Sequence, residues 1–148
     1  YAEAANEYHG PDFEETLGGQ QLGCYPILKL IRKRAGIEPG ADGMYGLKKN
    51  MTQKQMRQAI QEERRLELAF EGHRFFDVRR WMIADKDGEG RQNGYAHGMN
   101  VRGTINDTEE FNRVVETEKI VFNRKMYLQP IPDHEMRKTQ NLVQNPGW

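Results

Sequence analysis

The chain has 148 residues, a length suited to one ordinary domain, and its 36% hydrophobic content with 15 Gly is that of a globular protein despite a mean hydropathy of −0.91. Its 22 basic and 22 acidic side chains cancel, which removes a net field for nucleic acid or an anionic membrane surface. One cysteine excludes an internal disulfide and a cysteine-based zinc cluster, and no apolar run approaches the ~18 residues of a spanning helix.

In chain order, "YAEAANEY" (1–8) is helix-forming, lacks a start signal and is closed by Gly10-Pro11. It reads as a helix entered part-way, which predicts a longer protein. No signal peptide opens the chain. "QLGC" (21–24) has the local look of a lipoprotein cleavage site, but the preceding "DFEETLGGQ" is polar and acidic, so Cys24 is expected as a small core residue. A second helix is predicted from about Pro26 to Ala35, with Pro26 at its first position and Gly36 as its stop. Ile27, Leu28, Ile31 and Ala35 share one face, and Lys29, Arg32 and Lys33 share the other. Residues 37–51 are a Gly- and Asp-rich loop.

Thr52 with Gln55 forms a capping box for a third helix, expected to run to about Glu71 and stop at Gly72. A shorter fourth helix takes up roughly 74–84. Residues 85–110 are rich in glycine and expected to be irregular, and Val114-Val115 with Ile120 to Phe122 could form a short β pair. "LQPIPDHEM" is an extended segment fixed by proline, leading into a turn capped by Asp133. "NPG" before Trp148 is a turn signal that folds the indole back. The expected architecture is therefore mainly α, with tetratricopeptide-like helical hairpins. It divides into a helical part (1–84), an irregular span with short strands (85–127) and a packed C-terminal strap (128–148).

The most unusual stretch is "ERRLELAFEGHRFFDVRRW" (63–81), which mixes nine charged residues with three Phe and a Trp. On a helical wheel, Met56, Ala59, Ile60, Leu66 and Phe70 form one apolar stripe, with Glu63 and Glu67 inside it. Phe75, Phe76, Val78, Met82 and Ile83 form an arc on the next helix, with Arg79 inside it. A buried carboxylate needs a partner. Arg79 is therefore expected to pair with Glu63 or Glu67, with Arg74 and Arg80 as further members of the cluster. The two Glu at i, i+4 also have the spacing of a retaining glycosidase pair, roughly 5–5.5 Å between carboxyl groups. The structural reading is a polar clamp that fixes a helical hairpin.

"IRKRAGI" (31–37), "ERRLELAFEGHRFFDVRRW" (63–81) and "LQPIPDHE…NLVQNPGW" (128–148), preceded by "YAEAANE" (1–7), resemble the C-terminal part of the SusD/RagB family. The resemblance covers most of the chain apart from about 85–125. It implies a non-catalytic lipoprotein on the outer face of the outer membrane of Bacteroidetes-type bacteria. Such proteins bind glycans or other nutrients and deliver them to a SusC-type TonB-dependent transporter; their lipid-bearing Cys lies at a far N-terminus that these residues do not include. The matching blocks are scaffold, so no binding residue carries over.

Outside those blocks, four scattered His make no i, i+4 pair, so no metal is expected, and no phosphate loop or other cofactor signature occurs. Tyr95 and His97 in "NGYAHGMN" and Tyr45 in "ADGMYGL" supply the flat aromatic faces and planar hydrogen-bonding groups that sugars use, and are the candidate ligand contacts. Nutrient binding, a helical-repeat scaffold for protein partners, and glycoside hydrolysis through Glu63 and Glu67 are the functions to be separated.

Overall fold

The computed structural model describes residues 1–86 and 120–148 in full and residues 94–104 and 107–119 as backbone strands only. It falls into two compact units, Tyr1–Glu71 and Gly72–Trp148.

The first unit opens with α1 (Ala2–His9), which ends at Gly10 with φ 95°. A hairpin that the sequence reading missed follows, β1 (Glu14–Leu17) against β2 (Gln20–Gly23). Leu17 pairs with Gln20, so Gly18-Gly19 is the whole connection. Both glycines have positive φ, as a two-residue hairpin turn with the sheet's own twist demands. Gly23 then enters α2 (Cys24–Arg34) where a Cβ would lie 2.3 Å from the Phe13 carbonyl oxygen, so only glycine fits.

A loop leads to α3 (Gln53–Glu67), whose start carries the expected capping box: Thr52 Oγ1 accepts from the Gln55 backbone N–H and Gln55 Oε1 accepts from that of Thr52. Ala2, Ala5, Cys24, Tyr25, Leu28, Met44, Leu47, Met51, Met56 and Ile60 make the core of this unit. Polar groups stitch its edges. Asn6 Nδ2 donates to the Gln53 carbonyl at 3.0 Å and Gln53 Nε2 returns a bond to the Asn6 carbonyl at 2.7 Å. The Tyr25 hydroxyl donates to the Lys48 carbonyl and accepts from the Met51 N–H, closing the loop over the core.

α3 stops at Glu67, short of the expected Glu71, and a turn runs to Gly72 with Phe70 at φ 65°. The apolar stripe accordingly ends early: Met56 and Ile60 are buried, whereas Leu66 and Phe70 are exposed. Phe70 lies in the turn beyond the helix end, and Leu66, still on the last turn of α3, stands in solvent as well.

The second unit begins with Gly72 in the left-handed region, followed by α4 (His73–Arg80). Among the described residues, Val78, Ala84 and Phe122 are its buried hydrophobics, flanked by Ile83, Met126 and Tyr127, and Asp77 is buried beside them in sequence. The span expected to be irregular instead carries β3 (Gly94–Thr104) antiparallel to β4 (Asp107–Ile120), with register shifts after Ala96 and Arg102. Val114 and Ile120, proposed as halves of a β pair, lie on the same strand, opposite Gly98 and Gly94.

A 3-10 turn (Arg124–Tyr127) and α5 (Asp133–Met136) follow. Asp133 is the first residue of α5, with Pro132 at the cap position and no side-chain cap bond, in place of the expected Asp133 cap. Residues 128–148 are ordered, but none is buried. They fold on themselves: Gln144 donates to the Ile131 carbonyl and accepts from its N–H, and Asn145 Nδ2 donates to the Gln129 carbonyl. Trp148 turns back onto the 3-10 turn, its Nε1 donating to the Lys125 and Leu128 carbonyls.

Candidate functional site

The acidic pair of α3 is engaged by α2. Arg32 Nε donates to Glu63 Oε2 at 2.8 Å, and Glu63 is buried. Glu67, further along α3 and less buried, is held by Arg34. The expected partners on α4 make other contacts. Arg80 pairs with Asp77 at 2.9 Å. Arg79 donates to the Phe75 carbonyl and lies 3.5 Å from the Phe75 ring centroid and 5.1 Å from that of Phe122. Arg74 is half-buried on the same helix.

Of the proposed cluster, Glu63 and Glu67 are thus engaged by α2, while Arg79 and Arg80 have acceptors on α4. The cause is placement: α2 ends in Arg32, Lys33 and Arg34, and long Arg stems carry their forks across the α2–α3 seam, while α4 supplies its own acceptors. Arg32 was assigned to a solvated face because the wheel describes one helix and ignores the reach of its side chains.

The clamp also holds a loop. Arg32 Nη1 donates to the Tyr45 carbonyl at 3.0 Å, so the buried Glu63 fixes Arg32 and Arg32 fixes the segment carrying Tyr45. The Tyr45 N–H donates to the Pro39 carbonyl, and the residue sits at φ 55°, a conformation that an L side chain adopts at a cost of order 1 kcal/mol or more. Thus two sets of residues singled out separately in the sequence, the acid pair and Tyr45, belong to one arrangement.

Tyr45 lines a cleft of about 340 Å³. Gln20, Gln21 and Leu22 from β2, and Pro26, Ile27, Lys29, Leu30 and Lys33 from α2, complete it. An aromatic side chain, carboxamides and ammonium groups around an apolar floor can cover a sugar's C–H face while bonding its hydroxyls. Gln21 Nε2 already donates to Glu14, which orients that amide. The other candidates, Tyr95 and His97, lie on β3; Tyr95 is opposite Lys119 and His97 falls at the register shift between Ala96 and Gly98. Their side chains lie outside the described residues.

Glu63 and Glu67 line a separate groove of about 320 Å³ between α1, α2 and α3. Each accepts from a guanidinium through Oε2, as the structural clamp reading requires. Among the described residues, no group of three His, Cys, Asp or Glu could hold a metal ion, and no helix is long and apolar enough to cross a membrane.

Ionisable groups elsewhere are shaped by ordinary pairing. The Tyr1 hydroxyl, bonded to Glu15, is pushed up to about 12. Arg57, forked onto Glu7 at 2.5 and 2.6 Å, holds that carboxyl below its usual range. Burial raises the Cys24 thiol, which packs in the core as expected from sequence.

The sequence model of the SusD family matches residues 1–148. A SusD-like protein from Bacteroides fragilis NCTC 9343 has 30% identity and a TM-score of 0.68, over 99% of this chain and 23% of its own. The solved structure named BT4246 has 32% identity and a TM-score of 0.58, over 84% of this chain and 19% of its own. No curated protein matches. The chain spans less than a quarter of either solved structure's length.

Proposed function

We propose, from the premise that this chain belongs to the SusD family, that it serves a non-catalytic binding protein of the bacterial cell surface, lipid-anchored to the outer membrane, which takes up glycans or other nutrients and passes them to a SusC-type TonB-dependent transporter. The observation that carries a sugar-binding role for these residues is the Tyr45 cleft, where a tyrosine whose backbone is held by Arg32 lies in one concavity with two carboxamides. Binding there needs no cofactor and no metal: stacking and hydrogen bonds supply the affinity, and release to a partner requires it to stay modest.

Isothermal titration of the protein against a panel of oligosaccharides tests this. At least one glycan should bind, and Tyr45→Ala should weaken it about tenfold, the loss of one good stacking contact. Silence across the panel, or full affinity in Tyr45→Ala, would overturn the assignment of a sugar site to this cleft. A second reading is a helical scaffold whose main ligand is protein. It draws on Leu66 and Phe70, two large apolar side chains exposed at the end of α3 and just beyond it. Capture of the transporter without any glycan heat would favour it.

A further inference from the structure

The cleft beside Tyr45 carries a charge pattern that nothing in the fold requires. Lys29 and Lys33 sit four residues apart on α2, so they share a face and their like charges oppose helix formation. Both line the cleft. Arg32, between them in sequence, is neutralised by Glu63, and Arg34 by Glu67. Neither lysine makes an ion pair among the described residues. The Glu14 carboxylate accepts from the Gln21 amide and forms no ion pair with either lysine among the described residues. Two ammonium groups without an ion-pair partner among those residues therefore line one concavity with Tyr45 and Gln20.

We infer that this cleft selects an anionic sugar, one whose ring bears a carboxylate or a sulfate ester. The inference rests on the sugar-binding reading above and narrows its ligand class. Tyr45 would take the apolar face of the ring, Gln20 a hydroxyl, and the two lysines the anion, whose arrival also relieves their mutual repulsion. Lysine suits this task because its rotatable point charge can follow either a carboxylate or a sulfate. A neutral sugar leaves that charge unanswered.

The test is titration calorimetry of the protein with three oligosaccharides of matched length: an oligogalacturonate, a sulfated oligomer and a neutral glucan. The expected result is that at least one anionic oligomer binds about tenfold or more tighter than the neutral one, and that rising salt erodes the difference. Which anionic arm wins identifies the group. The double variant Lys29→Gln, Lys33→Gln should weaken the anionic ligand about tenfold and abolish the salt dependence of its binding, with unchanged melting as the check on folding.

Equal binding of neutral and anionic oligomers, or an unaffected double variant, overturns the inference. If neutral glycans bind with Tyr45 dependence and anionic ones no better, the sugar-binding reading stands and only the charge selectivity falls. If no oligomer binds, both fall.

Discussion

The two units hold themselves together in different ways. The first ties distant segments through side chains that are buried or nearly so: Asn6 to Gln53, Tyr25 to Lys48 and Met51, and Glu63 through Arg32 to Tyr45. Its core draws on α1, α2, α3 and the loop between the last two. In the second, Val78, Ala84 and Phe122 are the buried hydrophobics among the described residues, and the tail relies on short-range turns and amide bonds. Where long-range polar links run through a core, removing one group should strand another. Where they run along an exposed surface, water can replace what is lost.

The sharpest way to break that contrast is Arg32→Ala. It leaves the Glu63 carboxylate buried and unpaired and frees the Tyr45 loop. The cost of breaking a fully buried pair is about 3–5 kcal/mol, and because Arg32 keeps some exposure the lower part of that range is expected. Urea unfolding checks it, and a double-mutant cycle with Glu63→Ala should show strong coupling. Additive effects would mean that the two residues do not act as a unit.

Next in size is a matched pair of truncations. Leu28 is 2% exposed in the first core, so Leu28→Ala should cost about 2–5 kcal/mol. Val143, 83% exposed in the tail, should change stability by no more than about 0.5 kcal/mol on the same replacement. A large loss at Val143 would show that the tail packs more tightly in solution than its exposure suggests.

Much of this was legible in sequence, and the failures share a cause. The capping box at Thr52, the stops at Gly10 and Gly36 and the start of a new helix after Gly72 are local signals, read from a few neighbouring residues. The pairing of Glu63 was not local: its partner stands 31 positions away, on a helix face that its own periodicity labels as solvated. The hairpin at Gly18-Gly19 was available, since two glycines between short runs mark such a turn, but the acidic "EETL" hid a strand that lies exposed on both faces. β3 was hidden by its glycines, which weaken strand propensity although pairing with β4 overrides it. The Tyr45 cleft was half legible. The aromatic ring was visible as a candidate, while Gln20, Lys29 and Lys33 join it only once β2 and α2 are adjacent.

A smaller test belongs to the C-terminus. Gly147 has φ 88°, and a Cβ there would lie 2.9 Å from the Lys125 Cβ. Gly147→Ala is expected to cost about 1–2 kcal/mol, since both the backbone conformation and the contact turn unfavourable. It should also lift Trp148 from the Lys125 and Leu128 carbonyls, which a red-shifted indole emission would report. Unchanged emission would mean the indole is held by contacts other than these.

The mildest effect is expected at the bond joining the end of α4 to the 3-10 turn. The Tyr127 hydroxyl donates to Asp85 Oδ1 at 2.5 Å and accepts from the Asp85 N–H at 3.0 Å. The bond from Tyr127 holds the Asp85 carboxyl below its ordinary range, and burial with the adjacent carboxylate raises the Tyr127 hydroxyl. The sign follows from the ionised form being favoured in the folded state. The contribution of Asp85 is present above the ordinary carboxylate pKa and is lost as pH falls through its lowered folded value. The contribution of Tyr127 runs the other way: it is present below the ordinary phenol value and lost as pH rises through the raised one. Because Asp85 is open to solvent, screening keeps the whole effect small. Tyr127→Phe should raise the Asp85 titration, followed by carboxyl carbon NMR, toward the ordinary carboxylate range, with only a slight fall in melting temperature near neutral pH. A collapse of the second unit in Tyr127→Phe would instead make this surface bond as important there as the Arg32–Glu63 clamp is in the first, and the contrast between the two units would fail.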